Sequence, residues 1–145
     1  MTVNSGVCTL VRPPGADDAG TVVNQQVRVW VVDDQASFRR ASSATLDATA
    51  GFVLAGQSTS GEAALECLDE DDADLVLMDI HMPGIGGIEA ARRLHDRHPR
   101  IVIVLMSTYD ADELPADATD CGAATYLHKQ RLCPTVLSDI WRAAS

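Results

Sequence analysis

An α/β fold, a doubly wound five-stranded parallel sheet with helices on both faces, is what this sequence predicts, and three observations lead to it. Short apolar runs recur five times, at 27–33, 52–56, 74–80, 101–106 and 124–129. The runs are continuous rather than alternating, which suits strands covered on both sides. Segments with helical spacing of apolar residues lie between them, so strand and helix alternate along the chain. Right-handed crossovers then leave few topologies to choose from.

Residues 1–26 carry two prolines, three glycines and no sustained period, and they predict a flexible N-terminal tail outside a core domain of 27–145. After the first strand, Phe38, Ala41, Leu46 and Ala50 follow helical spacing, with Gly51 as a stop. The second strand is followed by Ser60, a residue suited to capping the helix of "GEAALECLDE". The third strand, "DLVLMDI", precedes "GGIEAARRLHDRHP", where Ile88, Ala91 and Leu94 or His95 form an apolar stripe that Pro99 ends. "IVIVLM" is the most strand-like run of all. A weaker helix is expected at about 111–120, where Pro115 is tolerable only in a first turn. The last strand, "ATYLHK", leads to a final helix at 134–144 with Pro134 in its favoured first position.

A chain of 145 residues, 46% hydrophobic and 22% charged, has the size and balance of one globular domain. Its net charge of −10 argues against nonspecific nucleic-acid binding, which depends on lysine and arginine neutralising phosphates. A metal cation or basic ligand suits it better. The four cysteines, at 8, 67, 121 and 133, form no C-x-x-C pair, so zinc is not expected. Cys67 and Cys121, in alanine-rich helical surroundings, are expected to be reduced packing residues, as in a reducing cytosol. No apolar stretch approaches the ~20 residues of a membrane span, and the N-terminus lacks the features of a secretory signal, so a cytoplasmic protein is expected.

In a doubly wound sheet the reactive crevice lies beyond the carboxyl ends of the strands. Four of the five predicted strands deliver polar groups there: Asp33 and Asp34, then Asp79, then Ser107 and Thr108, then Lys129. Taken singly these are bland. An aspartate pair after a strand is commonly turn chemistry, a lone lysine is commonly solvated, and Ser-Thr is commonly a cap. Their coincidence at corresponding ends is what carries weight. Three carboxylates at one rim repel unless a cation joins them, and Mg2+ is the usual partner of a few carboxylates with phosphate oxygens.

"VVDD" at 31–34, "LVLMDIHMPGIGG" at 75–87, "IVIVLMST" at 101–108 and "GAATYLHK" at 122–129 resemble the signature blocks of two-component response regulator receiver domains. The spacing also fits: 45 residues separate Asp34 from Asp79, 28 separate Asp79 from Ser107, and 22 separate Ser107 from Lys129. The resemblance implies a flavodoxin-like fold of strand order 2-1-3-4-5. It further implies phosphorylation of Asp79 by a histidine kinase, with Mg2+ held by Asp34, Asp79 and the backbone carbonyl of His81, and assisted by Asp33. Ser107 and Lys129 would take phosphate oxygens. Ser107 and Tyr126 would act as the switch pair, changing the surface of strand four, helix four and strand five for a downstream protein. A homodimer through helix four, strand five and helix five is a further partner the resemblance suggests. His81, Thr108 and Tyr109 occupy positions that tune phosphate lifetime in the family.

Some positions depart from the pattern. Gln130 follows Lys129, where many receivers have proline; receivers without it commonly precede a helix-turn-helix module, so the chain is expected to be either a stand-alone regulator or a fragment. His81 and Tyr109 are bulky enough to shield an acyl phosphate from water, which predicts slow self-dephosphorylation. The run "DEDDAD" at 69–74 is expected to be a solvated loop. Receivers are not turnover enzymes, although they take part in their own phosphorylation. Two rivals stay open: a receiver-like module that binds partners without phosphorylation, and a Mg2+ phosphohydrolase. The intact aspartates, Ser107 and Lys129 speak against the first. The second usually needs an aspartate two residues after the nucleophile, where this chain has His81.

Overall fold

The computed structural model describes residues 8–10, 26–109 and 114–144, the first three by backbone alone. Its strands are β1 (Cys8–Leu10), β2 (Val27–Val32), β3 (Phe52–Ser58), β4 (Leu75–Asp79), β5 (Val102–Ser107) and β6 (Thr125–His128). The helices are α1 (Ala36–Asp47), α2 (Gly61–Glu70), α3 (Gly86–Arg97) and α4 (Pro134–Ala144). Sheet order is β1-β3-β2-β4-β5-β6. All pairings are parallel except β1 with β3. Without β1, the five parallel strands follow the predicted order 2-1-3-4-5, which is the flavodoxin-like arrangement.

The continuous apolar strands are explained by two cores. Trp30, Val32, Val76, Met78, Ile103 and Leu105 face one side, against Ala64, Leu68, Ala90 and Leu94 of α2 and α3. Val29, Val31, Leu75, Leu77, Val104 and Met106 face the other, against Leu46 of α1 and Leu137 of α4. Each fully buried aliphatic side chain contributes roughly 1.5–3 kcal/mol, so alternate residues of each strand stabilise opposite layers. Trp30 is fully buried with its one polar atom satisfied, Nε1 donating to Ser58 Oγ at 2.8 Å. Ser60 caps α2 as expected, its hydroxyl accepting from the Ala63 amide at 3.1 Å, and α4 begins at Pro134.

The sequence expectations need four corrections. The segment predicted as tail contributes β1, an edge strand in register with Gly56–Ser58 of β3; three residues are too short to carry a periodic signal. The weak fourth helix is, among the described residues, a single 3-10 turn at Ala116–Thr119 directly after Pro115. Residues 111–113 of its predicted span lie outside the described residues. Proline has no N–H to continue a helical ladder, which suits a short turn. In α1 the buried positions are Ser42 and Leu46, while Ala41 is exposed, as is Ala50 beyond the end of the helix. A methyl group is too small to decide which face turns inward. Finally, Cys121 is buried and free, but Cys67 is disulfide-bonded. Helical surroundings cannot reveal a bridge, which depends on approach between distant parts of the chain, and the cysteines therefore give no support for a reducing compartment.

Part of the acidic run closes α2 and the remainder forms the turn into β4. Asp69 pairs with Arg97 and His98, each at 3.0 Å, and Asp74 Oδ2 accepts from the Arg28 amide at 2.8 Å. No helix among the described residues is long and apolar enough to cross a membrane.

Candidate functional site

β2 has β3 on one side and β4 on the other, so the chain reverses direction across the sheet at the β2/β4 boundary. The carboxyl ends of these two strands carry the acidic residues. Asp33 is 1% exposed, Asp79 is 4% exposed, and Asp34 stands in solvent. One carboxylate oxygen from each lies within 4.8 Å of the others. Lys129, at the end of β6, brings its Nζ to 2.6 Å from Asp33 Oδ2 and 3.4 Å from Asp79 Oδ1. The close approach to Asp33 is a charge contact rather than an aligned hydrogen bond, for Oδ2 receives none in good geometry. The other Asp33 oxygen accepts from the Gln35 amide at 2.8 Å, and the Asp33 carbonyl accepts from Arg39 at 2.7 Å.

Burial in this crevice, reinforced by the neighbouring Asp33 charge, raises the Asp79 carboxyl from its ordinary 3.8 to about 6. Lys129 and the His81 amide act in the opposite direction without overcoming that effect. The His81 N–H approaches Asp79 Oδ1 at 3.4 Å, a long contact.

Local sequence explains how Asp79 is presented. The chain leaves β4 through Gly84 and enters α3 at Gly86, both at positive φ. Gly87 then lies so close to the strand end that an added Cβ would meet the Asp79 carbonyl oxygen at 1.9 Å. Its N–H donates to the Ile80 carbonyl at 3.1 Å.

The remaining predicted residues form a second group beside the carboxylates. Ser107 is fully buried at the end of β5, one residue beyond the register partner of Asp79, and its Oγ accepts from the Tyr109 amide at 2.9 Å. The Tyr126 hydroxyl, from β6, donates to the Tyr109 carbonyl. The peptide of Tyr109 thus joins the side chains of Ser107 and Tyr126. The Tyr109 ring is exposed and meets the His81 ring at 4.4 Å between centroids. Thr108 is exposed. Phe38 and Arg39 were not legible as site residues: Lys129 Nζ lies 4.5 Å from the Phe38 ring centroid, across a separation in sequence that no local pattern reports.

A parallel doubly wound sheet, with an acidic cluster and a lysine at its switch point, defines the class of two-component signalling receivers. Residues 29–138 match the response regulator receiver domain family, and the chain belongs to it. It is similar to response regulator GacA of Pseudomonas viridiflava, 41% identical over 103 residues that make up 71% of this chain and 48% of the relative. It is also similar to response regulator UvrY of Escherichia coli K12, 33% identical over 114 residues, 79% of this chain and 52% of the relative. The chain spans about half the length of these curated relatives. Among solved structures, the signal receiver domain of NarL from Mycobacterium tuberculosis superposes with a TM-score of 0.74 at 28% identity, covering 83% of this chain and 97% of that one. Chemotaxis protein CheY4 of Vibrio cholerae, at 23% identity and a TM-score of 0.71 over 83% and 99% of the two chains, shares the fold.

Proposed function

We propose that this receiver accepts a phosphoryl group from a histidine kinase onto Asp79, with Mg2+, and transmits the change through the surface around β5, the Ala116–Thr119 turn and β6. The reading is carried by one observation: three carboxylate oxygens within 4.8 Å, with a lysine ammonium against the two that are buried. The donor set consists of oxygens alone and carries excess negative charge, which fits a hard divalent cation. Asp33, Asp34, Asp79 and the His81 carbonyl would hold it. When bound, Mg2+ neutralises charge on the phosphoryl oxygens.

The chain's own groups account for the rest. An Asp79 carboxylate oxygen attacks phosphorus, the bond from phosphorus to the donor nitrogen breaks, and an acyl phosphate forms. Lys129, already between Asp33 and Asp79, can follow one phosphate oxygen with a compact charge. A second oxygen would accept from Ser107 Oγ, altering the hold on the Tyr109 peptide and, through its carbonyl, on Tyr126. Such a rearrangement is a population shift biased by local charge. Its surface includes a groove lined by Tyr126, His128, Gln130, Val136 and Ile140, suited to a downstream protein or a second copy. No turnover is required, and the reading includes action in the cytoplasm.

The test is intact-mass measurement after incubation with Mg2+ and phosphoramidate. A single phosphate adduct is expected. Steady phosphate release without an adduct would instead indicate a hydrolase, and neither outcome would indicate a binding module that works without phosphorylation. The paired rings of His81 and Tyr109 should also shield the adduct from water. Decay of the adduct is therefore expected to be roughly two- to fivefold faster in His81→Asn, equivalent to about 0.5–1 kcal/mol of barrier. Equal decay rates would remove the shielding role.

A further inference from the structure

We propose that Phe38 is a positioning residue, its ring forming a third wall that holds the Lys129 ammonium against Asp33 and Asp79. Its consequence for phosphorylation rests on the phosphoacceptor reading above; its geometry does not. An ammonium carries three N–H donors and no acceptor. Two of its neighbours are the buried carboxylates, at 2.6 and 3.4 Å. The Lys129 side chain is only 9% exposed, so water has limited access to the remaining direction. The face of the Phe38 ring, 4.5 Å from Nζ, occupies that neighbourhood, and the negative face of an aromatic ring attracts a cation.

The ring is itself well anchored. Phe38 lies in the first turn of α1, where its amide and that of Arg39 donate to the Gln35 carbonyl, each at 3.2 Å. The Gln35 amide in turn donates to Asp33 Oδ1, and Arg39 donates to the Asp33 carbonyl. The backbone that carries the ring and the Asp33 carboxylate thus belong to one hydrogen-bonded unit, anchored independently of the lysine's flexible four-carbon stem. Phe38 also packs against the apolar layer that contains Val29, Val31 and Leu46. Leucine at this position would preserve most of that packing while removing the ring face, which separates the two roles.

The test is a double-mutant cycle on the full chain, combining Phe38→Leu and Phe38→Tyr with Lys129→Gln, and reading the rate of adduct formation from phosphoramidate with Mg2+. Phe38→Leu is expected to slow the reaction roughly five- to tenfold, and Phe38→Tyr to restore it. In the Lys129→Gln background, Phe38→Leu should make no further difference, because no ammonium remains to be held. Equal losses in both backgrounds, or no loss in Phe38→Leu alone, would overturn the inference. A second readout is independent of phosphorylation: the Lys129 ε-methylene protons should be displaced upfield in NMR spectra of the wild type and Phe38→Tyr, but not of Phe38→Leu. Absence of an adduct on wild-type protein would sink the phosphoacceptor reading, and the ring-induced shift would still decide whether Phe38 holds Lys129. An unshifted methylene in the wild type would overturn the positioning role.

Discussion

Asp79→Asn is expected to abolish the phosphate adduct and, with Mg2+ chelated, to make the protein more stable than the wild type at pH 8. The second effect follows from the raised carboxyl. Its value moves from 3.8 to about 6 on folding, chiefly through burial and then through the Asp33 charge. A group raised in this way favours the folded state fully below pH 3.8, where it is protonated in both states, and loses that contribution as pH rises through about 6. Asparagine stays neutral throughout. The variant's advantage should therefore be near zero at pH 3.8, grow across the window to about 6, and level off above it at roughly 2–3 kcal/mol. For a domain of this size that corresponds to a rise of about 10 °C in Tm. Denaturation of both proteins in chelator at several pH values checks it, the carboxylates remote from the crevice cancelling in the difference. Asp33, whose charge acts on Asp79, gains in the variant from the loss of its neighbour's charge. Added Mg2+ should narrow the gap by stabilising the wild type through binding. A variant no more stable than the wild type at pH 8 would contradict the electrostatic account of the crevice.

Gly87→Ala should be among the most damaging single substitutions in the chain. A Cβ at that position would lie 1.9 Å from the Asp79 carbonyl oxygen, 2.7 Å from its carbon and 2.8 Å from the Ile80 Cα. All three are backbone atoms, so no side-chain rotation relieves the clash. Either the start of α3 or the end of β4 must move. Overpacking of this kind costs on the order of 3 kcal/mol, and a displaced β4 end would take the Asp79 carboxylate with it. Loss of stability by denaturant titration and loss of Mg2+ affinity by calorimetry are both expected. A variant within 0.5 kcal/mol of the wild type, with Mg2+ binding unaltered, would show that the β4–α3 junction is softer than its geometry indicates.

Adjacent charges at the end of an apolar strand made Asp33 and Asp34 visible from sequence, because a strand buried on both faces is polar only where it emerges. Asp79, Ser107 and Lys129 were visible for the same reason. In the structure Asp33, Asp34, Asp79 and Lys129 do meet in one crevice, while Ser107 and Tyr126 meet at the Tyr109 peptide. Phe38 was read only as an apolar helical position; its place over the ammonium depends on how α1 lies on the sheet. Glu62 similarly accepts from the Ile85 amide at 3.2 Å, steadying the loop after β4 from another helix. Neither contact leaves a periodic or local trace.

Local patterning, through runs buried on both faces and helical segments between them, was enough by itself to determine the five parallel strands, the helices α1 to α4 and the rim on which the polar residues gather. Tertiary structure alone decided that β1 pairs at the sheet edge, that Cys67 is bridged, and that the fourth predicted helix is, among the described residues, a turn. It also decided how far burial raises Asp79 and which groups surround Lys129. The physical reason is that hydrophobic periodicity records which face of an element is covered, whereas clashes, charge coupling and cross-links depend on distances of a few ångströms between elements far apart in the chain.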